Sequence, residues 1–377
     1  MKYFIIAGEQ SGDLHGSNLV KAIFENDEKA EIQCWGGDLM ESAGAKLLVH
    51  YKETAFMGFV AVLKNIGKIS DNFNRCKKQV RDFHPDVVIF IDYPGFNLRM
   101  AAFAKKAGFR TFYYISPKFW AWNESRVEKV KKYIDRMFII FPFEINFYRV
   151  HGIDVQFFGN PLVDEVAKRS SSMPSKDEIR KSLGIDVKPV IALLAGSRKH
   201  EIEFNLPEML KIIPEFPGFR FIIAGVKNID DSIYNEIISG HDVKLVKEAT
   251  YELLYLADAA IVTSGTATLE AALHGTPQVV CYKGDFISML IGWMVIRVKH
   301  ISLVNLIMNE EVVKELLQYD LTKESLVKEL KAILPGGERR EKMLIQYGEL
   351  KNILGAEGAS GRIAFEMIKE LRKKSEN

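Results

Sequence analysis

Two turns, one in each half of this 377-residue chain, have the composition of anion- or sugar-binding loops. An apolar stretch, Lys2–Ala7, runs into the turn Gly8–Gly16, and a second, Ala259–Val262, runs into Thr263–Glu270. Small residues between a strand and a helix let backbone N–H groups approach an anion, and the helix N-terminus adds a positive dipole. Two such turns, far apart in the chain, predict two α/β domains that face each other across a cleft.

The later turn has the strongest local signal. Ser264, Gly265 and Thr266 offer hydroxyl and N–H donors for a diphosphate at the start of a helix. Glu270 follows one helical turn later, where it could accept hydrogen bonds from ribose hydroxyls. An ordinary helix N-cap with a glutamate in the first turn explains the same residues, so both interpretations stay open.

A loop of the same kind follows the apolar stretch Pro189–Leu194. It contains Ser197 and Arg198, with Glu201 three residues further on. The planar guanidinium of Arg198 can neutralise phosphate charge. Since a cation at a helix start is unfavourable unless an anion binds there, the loop favours phosphate binding over a surface arginine.

The early turn is acidic. Its glycines do not have the spacing of a dinucleotide-binding fingerprint, and Glu9 and Asp13 would repel a pyrophosphate. With Ser11 and Gly12 between them, these acids suit hydroxyl recognition or base catalysis. A turn with an aspartate near the cap of a helix is the alternative.

Another acid follows the unbroken apolar stretch Val87–Ile91. Asp92 lies where this strand should end, and a carboxylate in that place is a candidate general base for a sugar hydroxyl. The alternative is a turn-capping aspartate before Pro94 and Gly95, which is common in loops.

Apolar and basic residues predict a lipid-facing surface. The neighbouring tryptophans of the segment 116–126 fit an acceptor or lipid wall, and equally fit interdomain packing. The segments 56–69 and 286–299 combine apolar and basic residues, as interfacial helices do and as core-facing helices also can. The candidate membrane or acyl contacts are Phe59, Val60, Leu63, Ile66, Trp120, Trp122 and Trp293.

These residues need a framework, and the whole chain alternates short apolar strands with helical patterns. This alternation predicts parallel, doubly wound sheets, whose ligands bind beyond the carboxyl ends of the strands. The expected strands are Lys2–Ala7, Asp86–Ile91, Arg110–Ile115, Arg136–Ile140, Val155–Phe158, Pro189–Leu194, Phe219–Ala224, Val243–Val246, Ala259–Val262 and Gln278–Tyr282. Helices are expected between them, for example at Ser17–Glu25 and Leu98–Ala107.

The serine-rich stretch Lys168–Asp177 is predicted to be a linker. We therefore expect an N-terminal domain at 1–167, a linker at 168–177, a C-terminal domain at 178–354 and a last helix at 355–377 that packs back on the N-terminal domain.

Composition excludes several classes of function. A net charge of +2 gives no global field for nucleic acid. Cys34, Cys76 and Cys281 show neither metal-ligand spacing nor a disulfide framework, which indicates a reduced, cytoplasmic setting. The histidines form no metal-binding pair, and we expect neither a metal nor a cofactor. No leader peptide and no run of about 18 apolar residues is seen, so we expect no spanning helix.

Short motifs in a fixed order match one family. They are Ala7–Asp13 (AGEQSGD), Ile91–Asn97 (IDYPGFN), Ser116–Trp122 (SPKFWAW), Phe141–Glu144 (FPFE), Gly159–Leu162 (GNPL), Leu194–Arg198 (LAGSR), Ser264–Glu270 (SGTATLE), Ser302–Asn305 (SLVN) and Lys314–Gln318 (KELLQ). The chain thereby resembles the lipid-A-disaccharide synthases, bacterial inverting glycosyltransferases of the GT-B architecture. It departs from the family pattern at Asn160, Ala195 and Gly95, where histidine, proline and an acid are more usual.

The resemblance implies a reaction between two acylated sugars. UDP-2,3-diacylglucosamine, bound in the C-terminal domain, would donate its sugar to the 6-hydroxyl of 2,3-diacylglucosamine 1-phosphate, bound in the N-terminal domain. By the same resemblance, Asp92 would be the general base and Glu9 a partner acid near the acceptor.

The donor residues are implied in the same way. Arg198 and Asn305 would hold the donor phosphate or nucleotide, and Gln318 would lie beside the donor sugar. Ser264–Thr266 and Glu270 would seat the diphosphate and ribose. Because both substrates carry acyl chains, we expect peripheral association with the anionic inner face of the inner membrane of a Gram-negative bacterium. A homodimer stays open.

Other activities remain alternatives on this architecture. A UDP-sugar epimerase, or a transferase for a soluble acceptor, would use a similar turn at Ser264–Glu270 but no lipid-facing surface. A nicotinamide-dependent oxidoreductase is disfavoured by the acids and glycine spacing of Gly8–Gly16. A non-catalytic protein would bind a UDP-sugar without turnover.

Overall fold

The computed structural model describes residues 1–54, 66–122, 126–284 and 299–373. They form two compact units, one made of Met1–Asp164 with Gly355–Asn377 and the other of Glu165–Leu354. Each unit is built on a parallel β-sheet with helices packed against it, as the alternation of apolar strands and helical patterns predicts.

The first sheet consists of β1 (Lys2–Ala7), β2 (Glu31–Gly36), β3 (Lys46–His50), β4 (Val87–Ile91), β5 (Arg110–Tyr114), β6 (Arg136–Ile139) and β7 (Gln156–Phe157). Their order across the sheet is β3-β2-β1-β4-β5-β6-β7. Every residue of β4 is buried, as expected for a central parallel strand covered on both faces. Ala7 pairs with Ile91, so the chain leaves β1 and β4 side by side.

The second sheet consists of β8 (Val190–Leu194), β9 (Arg220–Gly225), β10 (Val243–Lys247), β11 (Ala259–Thr263), β12 (Gln278–Tyr282) and β13 (Lys314–Leu317). Their order is β10-β9-β8-β11-β12-β13. The central strands β8 and β11 are also buried throughout. Leu194 pairs with Val262, so the chain leaves this pair of strands side by side as well.

Each strand expected from the sequence is present, with ends within one residue of the prediction. The strands β2, β3 and β13 were not predicted. β3 and β13 lie at sheet edges and β2 lies next to one. Strands in such places are partly exposed and carry polar residues that interrupt the apolar run.

The helices cover the faces of the two sheets. They are Gln10–Asn26, Asp38–Ser42, Tyr51–Thr54, Ile66–Phe83, Pro94–Lys106, Phe119–Trp122, Val127–Tyr133, Glu144–Val150, Pro161–Ser171, Lys176–Leu183, Lys199–Leu210, Asp231–Ile238, Thr250–Leu256, Thr266–Leu273, Leu303–Met308, Lys323–Ile333, Arg340–Leu354 and Ala359–Arg372, with 3-10 turns at Ile213–Glu215 and Gln318–Asp320. The first helix begins at Gln10, so the expected turn Gly8–Gly16 is mostly helical and only Gly8 and Glu9 connect it to β1.

The expected linker Lys168–Asp177 is also largely helical. Residues 168–171 end the helix Pro161–Ser171, and residues 176–177 begin the helix Lys176–Leu183, which Ser175 caps. The two units divide earlier, after Asp164. The exposed ends of these helices are polar and serine-rich, as linkers are, and the sequence pattern therefore predicted a linker at a place where two helices end and begin.

The last helix, Ala359–Arg372, belongs to the first unit and packs against the helix Gln10–Asn26. Asp164 accepts hydrogen bonds from backbone N–H groups at the start of the last helix, the shortest from Gly358 at 2.6 Å. Near its end, Glu370 pairs with Arg136 at 2.8 Å. Both ends of this helix are therefore tied to the first unit by polar contacts.

Candidate active site

In each unit, the predicted chemical residues follow neighbouring strands at the point where the strand order reverses. Glu9 follows β1 and Asp92 follows β4 in the first unit, while Ser197 follows β8 and Ser264 follows β11 in the second. Connections from such strands run in opposite directions and leave a crevice, where open α/β sheets bind ligands. The fold thus brings the expected residues together in pairs within each unit.

Asp92 lies in a strained turn. Asp92 and Tyr93 both adopt left-handed backbone conformations, with φ of 42° and 49°, which are costly for residues other than glycine. The amide of Asn97 donates to the carbonyl oxygen of Asp92 at 2.7 Å, and the Tyr113 hydroxyl donates to the same oxygen at 2.5 Å. Both contacts hold the turn through the backbone of Asp92 rather than through its carboxylate.

The surroundings of Asp92 make it a stronger base than an ordinary aspartate. Burial raises its pKa to about 6, the positive charge of Lys118 opposes the rise, and the negative charge of Glu9 adds to it. Such a group is still mostly deprotonated at neutral pH. Gly8 permits the two turns to meet, because a Cβ there would lie 2.3 Å from the ring of Tyr93.

Asp13 has a structural role in this conformation. Its side chain is 3% exposed and accepts hydrogen bonds at 2.8–3.1 Å from three backbone N–H groups of residues 37–40. These bonds cap the helix Asp38–Ser42, in place of the ligand contact that we expected. Gly12 is buried against β1, where a Cβ would lie 3.1 Å from the Cβ of Ala7, and Ser11 is exposed at the helix start.

Glu144 is a fully buried carboxylate that sequence reasoning did not single out. It accepts hydrogen bonds from the hydroxyl of Ser116, from the indole N–H of Trp120 at 3.1 Å and from the N–H of Phe141 at 3.2 Å. Burial raises its pKa to about 7, against the effect of these bonds and of the Lys118 charge. Its only signal in the sequence was the motif FPFE, because a glutamate among aromatic residues shows no sign of being buried.

The lipid-facing candidates are only partly described. Trp120 is half-buried and packs edge-on against Phe143, with ring centroids 4.9 Å apart. The other candidates, Phe59, Val60, Leu63 and Trp293, and the side chains of Ile66 and Trp122, lie outside the described residues.

The loop after β8 already holds an anion, the carboxylate of Glu201. One of its oxygens accepts hydrogen bonds from the N–H groups of Ser197 and Arg198 at 2.8 and 3.2 Å. The guanidinium of Arg198 is exposed and lies 3.5 Å from the other oxygen. Gly196, with φ of 128°, makes this possible, since a Cβ there would lie 2.5 Å from the Cβ of Glu201. A bound phosphate would have to replace this carboxylate at the loop N–H groups.

In the turn after β11, one side chain is hydrogen-bonded within the unit and two residues are exposed. The hydroxyl of Ser264 donates to the carbonyl oxygen of Ile301 at 2.9 Å, so that side chain is engaged within the unit. Gly265 and Thr266 are exposed at the beginning of the helix Thr266–Leu273. Their position at a helix N-terminus keeps the predicted diphosphate contact open.

Glu270 faces a group of charged and aromatic side chains. Burial raises its pKa to about 7, the nearby Glu165 adds to the rise, and Arg169 opposes it. Arg169 donates to Glu165 at 2.9 Å, and its guanidinium lies 4.9 Å from the ring centroid of Tyr251. With its pKa near neutrality, Glu270 can present a donor or an acceptor to a ribose hydroxyl.

The side chain of Asn305 is hydrogen-bonded within its unit. Its amide oxygen accepts from the N–H groups of Val312 and Val313 at 2.8 and 2.9 Å, and its amide nitrogen donates to the carbonyl of Val313 and to Glu315, both at 2.8 Å. All four hydrogen-bonding positions of the amide are therefore occupied within the unit. Asn305 thereby anchors the turn before β13. Its expected phosphate contact stays a prediction, and a phosphate would have to replace one of these hydrogen bonds.

Gln318 keeps a donor for a ligand. It follows β13 with φ of 48°, another left-handed conformation in a residue other than glycine. Its amide nitrogen is buried and has no hydrogen-bond partner in the part of the chain that the structure describes. A buried donor without a partner is costly, so it fits a place where substrate supplies the acceptor.

Within the described ranges, no group of three or more His, Cys, Asp or Glu side chains could hold a metal ion. No helix in the same ranges is long and apolar enough to cross a membrane.

Comparison with known proteins identifies relatives along almost the whole chain. The model of the family described as lipid-A-disaccharide synthetase matches residues 3–360. The lipid-A-disaccharide synthase of Syntrophus aciditrophicus is 40% identical over 381 residues, which cover 99% of this chain and 98% of that protein. The enzyme of the same name from Geobacter metallireducens is 37% identical over 380 residues, with 99% and 98% covered.

Solved structures with low sequence identity share the fold. The UDP-GlcNAc 2-epimerase of Neisseria meningitidis, bound to UDP-GlcNAc, has a TM-score of 0.64 at 14% identity and covers 99% of this chain and 100% of its own. The kitacinnamycin glycosyltransferase has a TM-score of 0.63 at 12% identity, with 98% of each chain covered. The likeness confirms the predicted class, two Rossmann-like parallel-sheet units of the GT-B fold.

Proposed function

Because this chain belongs to the lipid-A-disaccharide synthase family, we propose that it is the glycosyltransferase that joins two acylated glucosamines in lipid A biosynthesis. UDP-2,3-diacylglucosamine is the donor, and the 6-hydroxyl of 2,3-diacylglucosamine 1-phosphate is the acceptor. The products are the disaccharide 1-phosphate, with inverted configuration at the new bond, and UDP.

The observation that carries the proposal is the carboxylate of Asp92 at the reversal point of the first sheet. A single inverting displacement needs one base to take the proton of the acceptor hydroxyl as that oxygen attacks. Asp92 has the raised pKa that suits this step, and Glu9 is the nearby acid that helps to raise it. In this proposal Glu9 binds the acceptor and keeps Asp92 basic.

The second unit would bind the donor diphosphate. The N–H groups of Ser197 and Arg198 already hold a carboxylate, and the UDP diphosphate would take its place. The released Glu201 would remain close enough to pair with Arg198. The guanidinium and the helix N-termini would then stabilise the charge of the leaving UDP, which makes a metal ion unnecessary for this step. The UDP-GlcNAc bound by the Neisseria epimerase supports a UDP-sugar donor.

A basic groove in the first unit supports a membrane-bound substrate. A cavity of about 890 Å³ lies between the helices Ile66–Phe83 and Pro94–Lys106. The ammonium of Lys77 lies 5.9 and 5.7 Å from the ring centroids of Phe73 and Phe103. Among the described residues that line this groove, none is acidic, and the basic ones are Lys77, Arg81, Arg99 and Lys106. An aromatic floor with a basic rim fits the anionic surface of a membrane.

The test is mass spectrometry of the products formed from both diacylated substrates, with and without EDTA. We expect the tetraacyl disaccharide phosphate and UDP to form to the same extent with EDTA as without it. A product that needs added metal would refute the metal-independent mechanism. Conversion of the UDP-sugar to an isomer, without disaccharide, would favour an epimerase, the activity named for the structural relatives in Neisseria.

A further inference from the structure

The segment Ser116–Trp120, here called the loop after β5, ends in the first residues of the short helix Phe119–Trp122. It is held mainly by one neighbouring helix, Glu144–Val150. Glu144 accepts hydrogen bonds from Ser116 and Trp120, at the two ends of this loop. The hydroxyl of Tyr148, one turn later, donates to the carbonyl oxygen of Pro117 at 3.4 Å. A fully buried carboxylate is tolerated only when donors surround it, and the loop supplies two of the three donors that Glu144 has among the described residues.

The same loop begins with a strained residue. Ile115 has φ of 64°, a conformation that is rarely adopted by β-branched residues because Cβ approaches the backbone. Strain of this kind persists only where the surroundings enforce it, and it collects at functional sites. The N–H of Ile115 donates to the carbonyl oxygen of Phe138 at 3.0 Å, and the hydrogen bonds that Ser116 and Trp120 donate to Glu144 hold the residues that follow.

Lys118 is the exposed residue at the centre of this loop. The N–H of Asp92 donates to the carbonyl oxygen of Tyr114 at 3.3 Å, so the turn of Asp92 and the segment after β5 begin side by side. We infer that Glu144 is a positioning residue, which holds the loop Ser116–Trp120 so that the charge of Lys118 acts on Asp92. The inference rests on the proposed function, in which Asp92 is the base.

The direction in which the pKa of Asp92 changes can test this inference, because the charged groups around Asp92 have opposite effects on that pKa. The charged groups that act on Asp92 are Lys118, which lowers its pKa, and Glu9, which raises it; Lys118 also lowers the pKa of Glu144. Tyr113 and Tyr148 are neutral, since burial holds their pKa values far above neutrality. Loss of the Lys118 charge would therefore raise the pKa of Asp92. Replacing Glu144 removes little charge where Asp92 titrates, because its own pKa of about 7 leaves it mostly protonated there, and any direct effect would lower the pKa of Asp92.

The experiment compares the pH dependence of kcat/KM for the wild-type enzyme, Lys118→Met, Glu144→Gln and the double variant. We expect Lys118→Met to raise the acidic pKa of the profile by about half a unit or more. Glu144→Gln should also raise it, because Ser116 and Trp120 donate to one carboxylate oxygen and Phe141 to the other. The NH2 group of a glutamine would face the Phe141 N–H in one orientation and the two loop donors in the other, so either orientation loses an acceptor and loosens the loop. The acidic pKa of the double variant should be no higher than that of Lys118→Met alone.

A lowered or unchanged pKa in Glu144→Gln would overturn the inference, and so would additive shifts in the double variant.

Hydrogen exchange of residues 110–122, measured by mass spectrometry, gives a readout that needs no activity. Compared with the wild type, exchange should be faster in Glu144→Gln and the same in Lys118→Met. Exchange at the wild-type rate in Glu144→Gln would also overturn the inference. If Glu144→Gln does not fold, Trp120→Phe removes one donor of the loop and should raise the same pKa. An inactive wild-type protein with the expected exchange would count against the proposed function alone.

Discussion

Asp92 owes its expected reactivity to neighbours that lie far from it in the chain. Glu9 precedes it by more than eighty residues and Lys118 lies in the segment after the next strand, yet both act on its carboxylate. Burial is the largest cause of its raised pKa, and it is also the largest cause for Glu144 and Glu270. In these three acids, the exclusion of water from the carboxylate is therefore the main cause of the raised pKa.

At the scale of the residue, we predict that Asp92→Ala lowers kcat by about 100-fold or more, the usual cost of losing a general base. The base works only when deprotonated. Since its pKa is raised to about 6, the rate of the wild-type enzyme should fall as the pH drops through about 6. A pH series of kcat/KM checks this.

The control for this prediction is Asp154→Asn, an exposed aspartate of the same unit, which should leave the rate unchanged. A near-wild-type rate for Asp92→Ala would reject Asp92 as the base. An acidic midpoint near the usual pKa of aspartate would instead reject the effect of burial on it.

At the scale of the element, the site depends on close approach between strand ends and helix starts. Gly8 lies against the ring of Tyr93, Gly12 against β1, and Gly196 against Glu201. A Cβ at Gly8 or Gly196 would overlap its neighbour, and a Cβ at Gly12 would make a tight contact. These glycines therefore let two elements of the fold approach each other closely.

We predict that Gly8→Ala destabilises the protein and lowers kcat, because its new methyl group would displace Tyr93 and with it the turn of Asp92. The matched control is Gly95→Ala in the helix Pro94–Lys106. A Cβ at Gly95 meets nothing within 4 Å, so this change should stabilise the protein by about 0.5–1 kcal/mol. Urea denaturation and initial rates measure both. Equal stability and activity of the two variants would show that the turn does not need the contact.

At the scale of the whole molecule, the proposed reaction requires access to substrates that carry acyl chains. The structure places basic and aromatic residues together in the groove between the helices Ile66–Phe83 and Pro94–Lys106. Net charge does not reveal this surface, because the charges of the whole chain nearly cancel. Local clustering, rather than total charge, determines attraction to an anionic bilayer.

We predict that the double variant Arg81→Glu, Lys106→Glu binds phosphatidylglycerol vesicles at least tenfold more weakly than the wild type, since each basic residue near such a surface contributes about 1 kcal/mol. Sedimentation with vesicles measures this, and added salt should weaken wild-type binding. The matched control is Lys29→Glu, Lys129→Glu, with the same change of charge at exposed sites of the same unit. Equal losses in the two double variants would show that net charge, and not the groove, is responsible.

The amino-acid sequence by itself determined the central strands, the two-sheet fold class and the placement of Asp92 and Ser264 directly after strands, with Arg198 in the loop after β8. These features are local, since apolar runs and strand-to-helix turns are written in consecutive residues. Tertiary structure decided which side chains are engaged and which are buried. It assigned Asp13 and Asn305 to hydrogen bonds within the protein, satisfied the N–H groups after β8 with Glu201, and revealed Glu144. These outcomes depend on partners that are distant in sequence, and desolvation depends on the packing of the whole unit around a side chain.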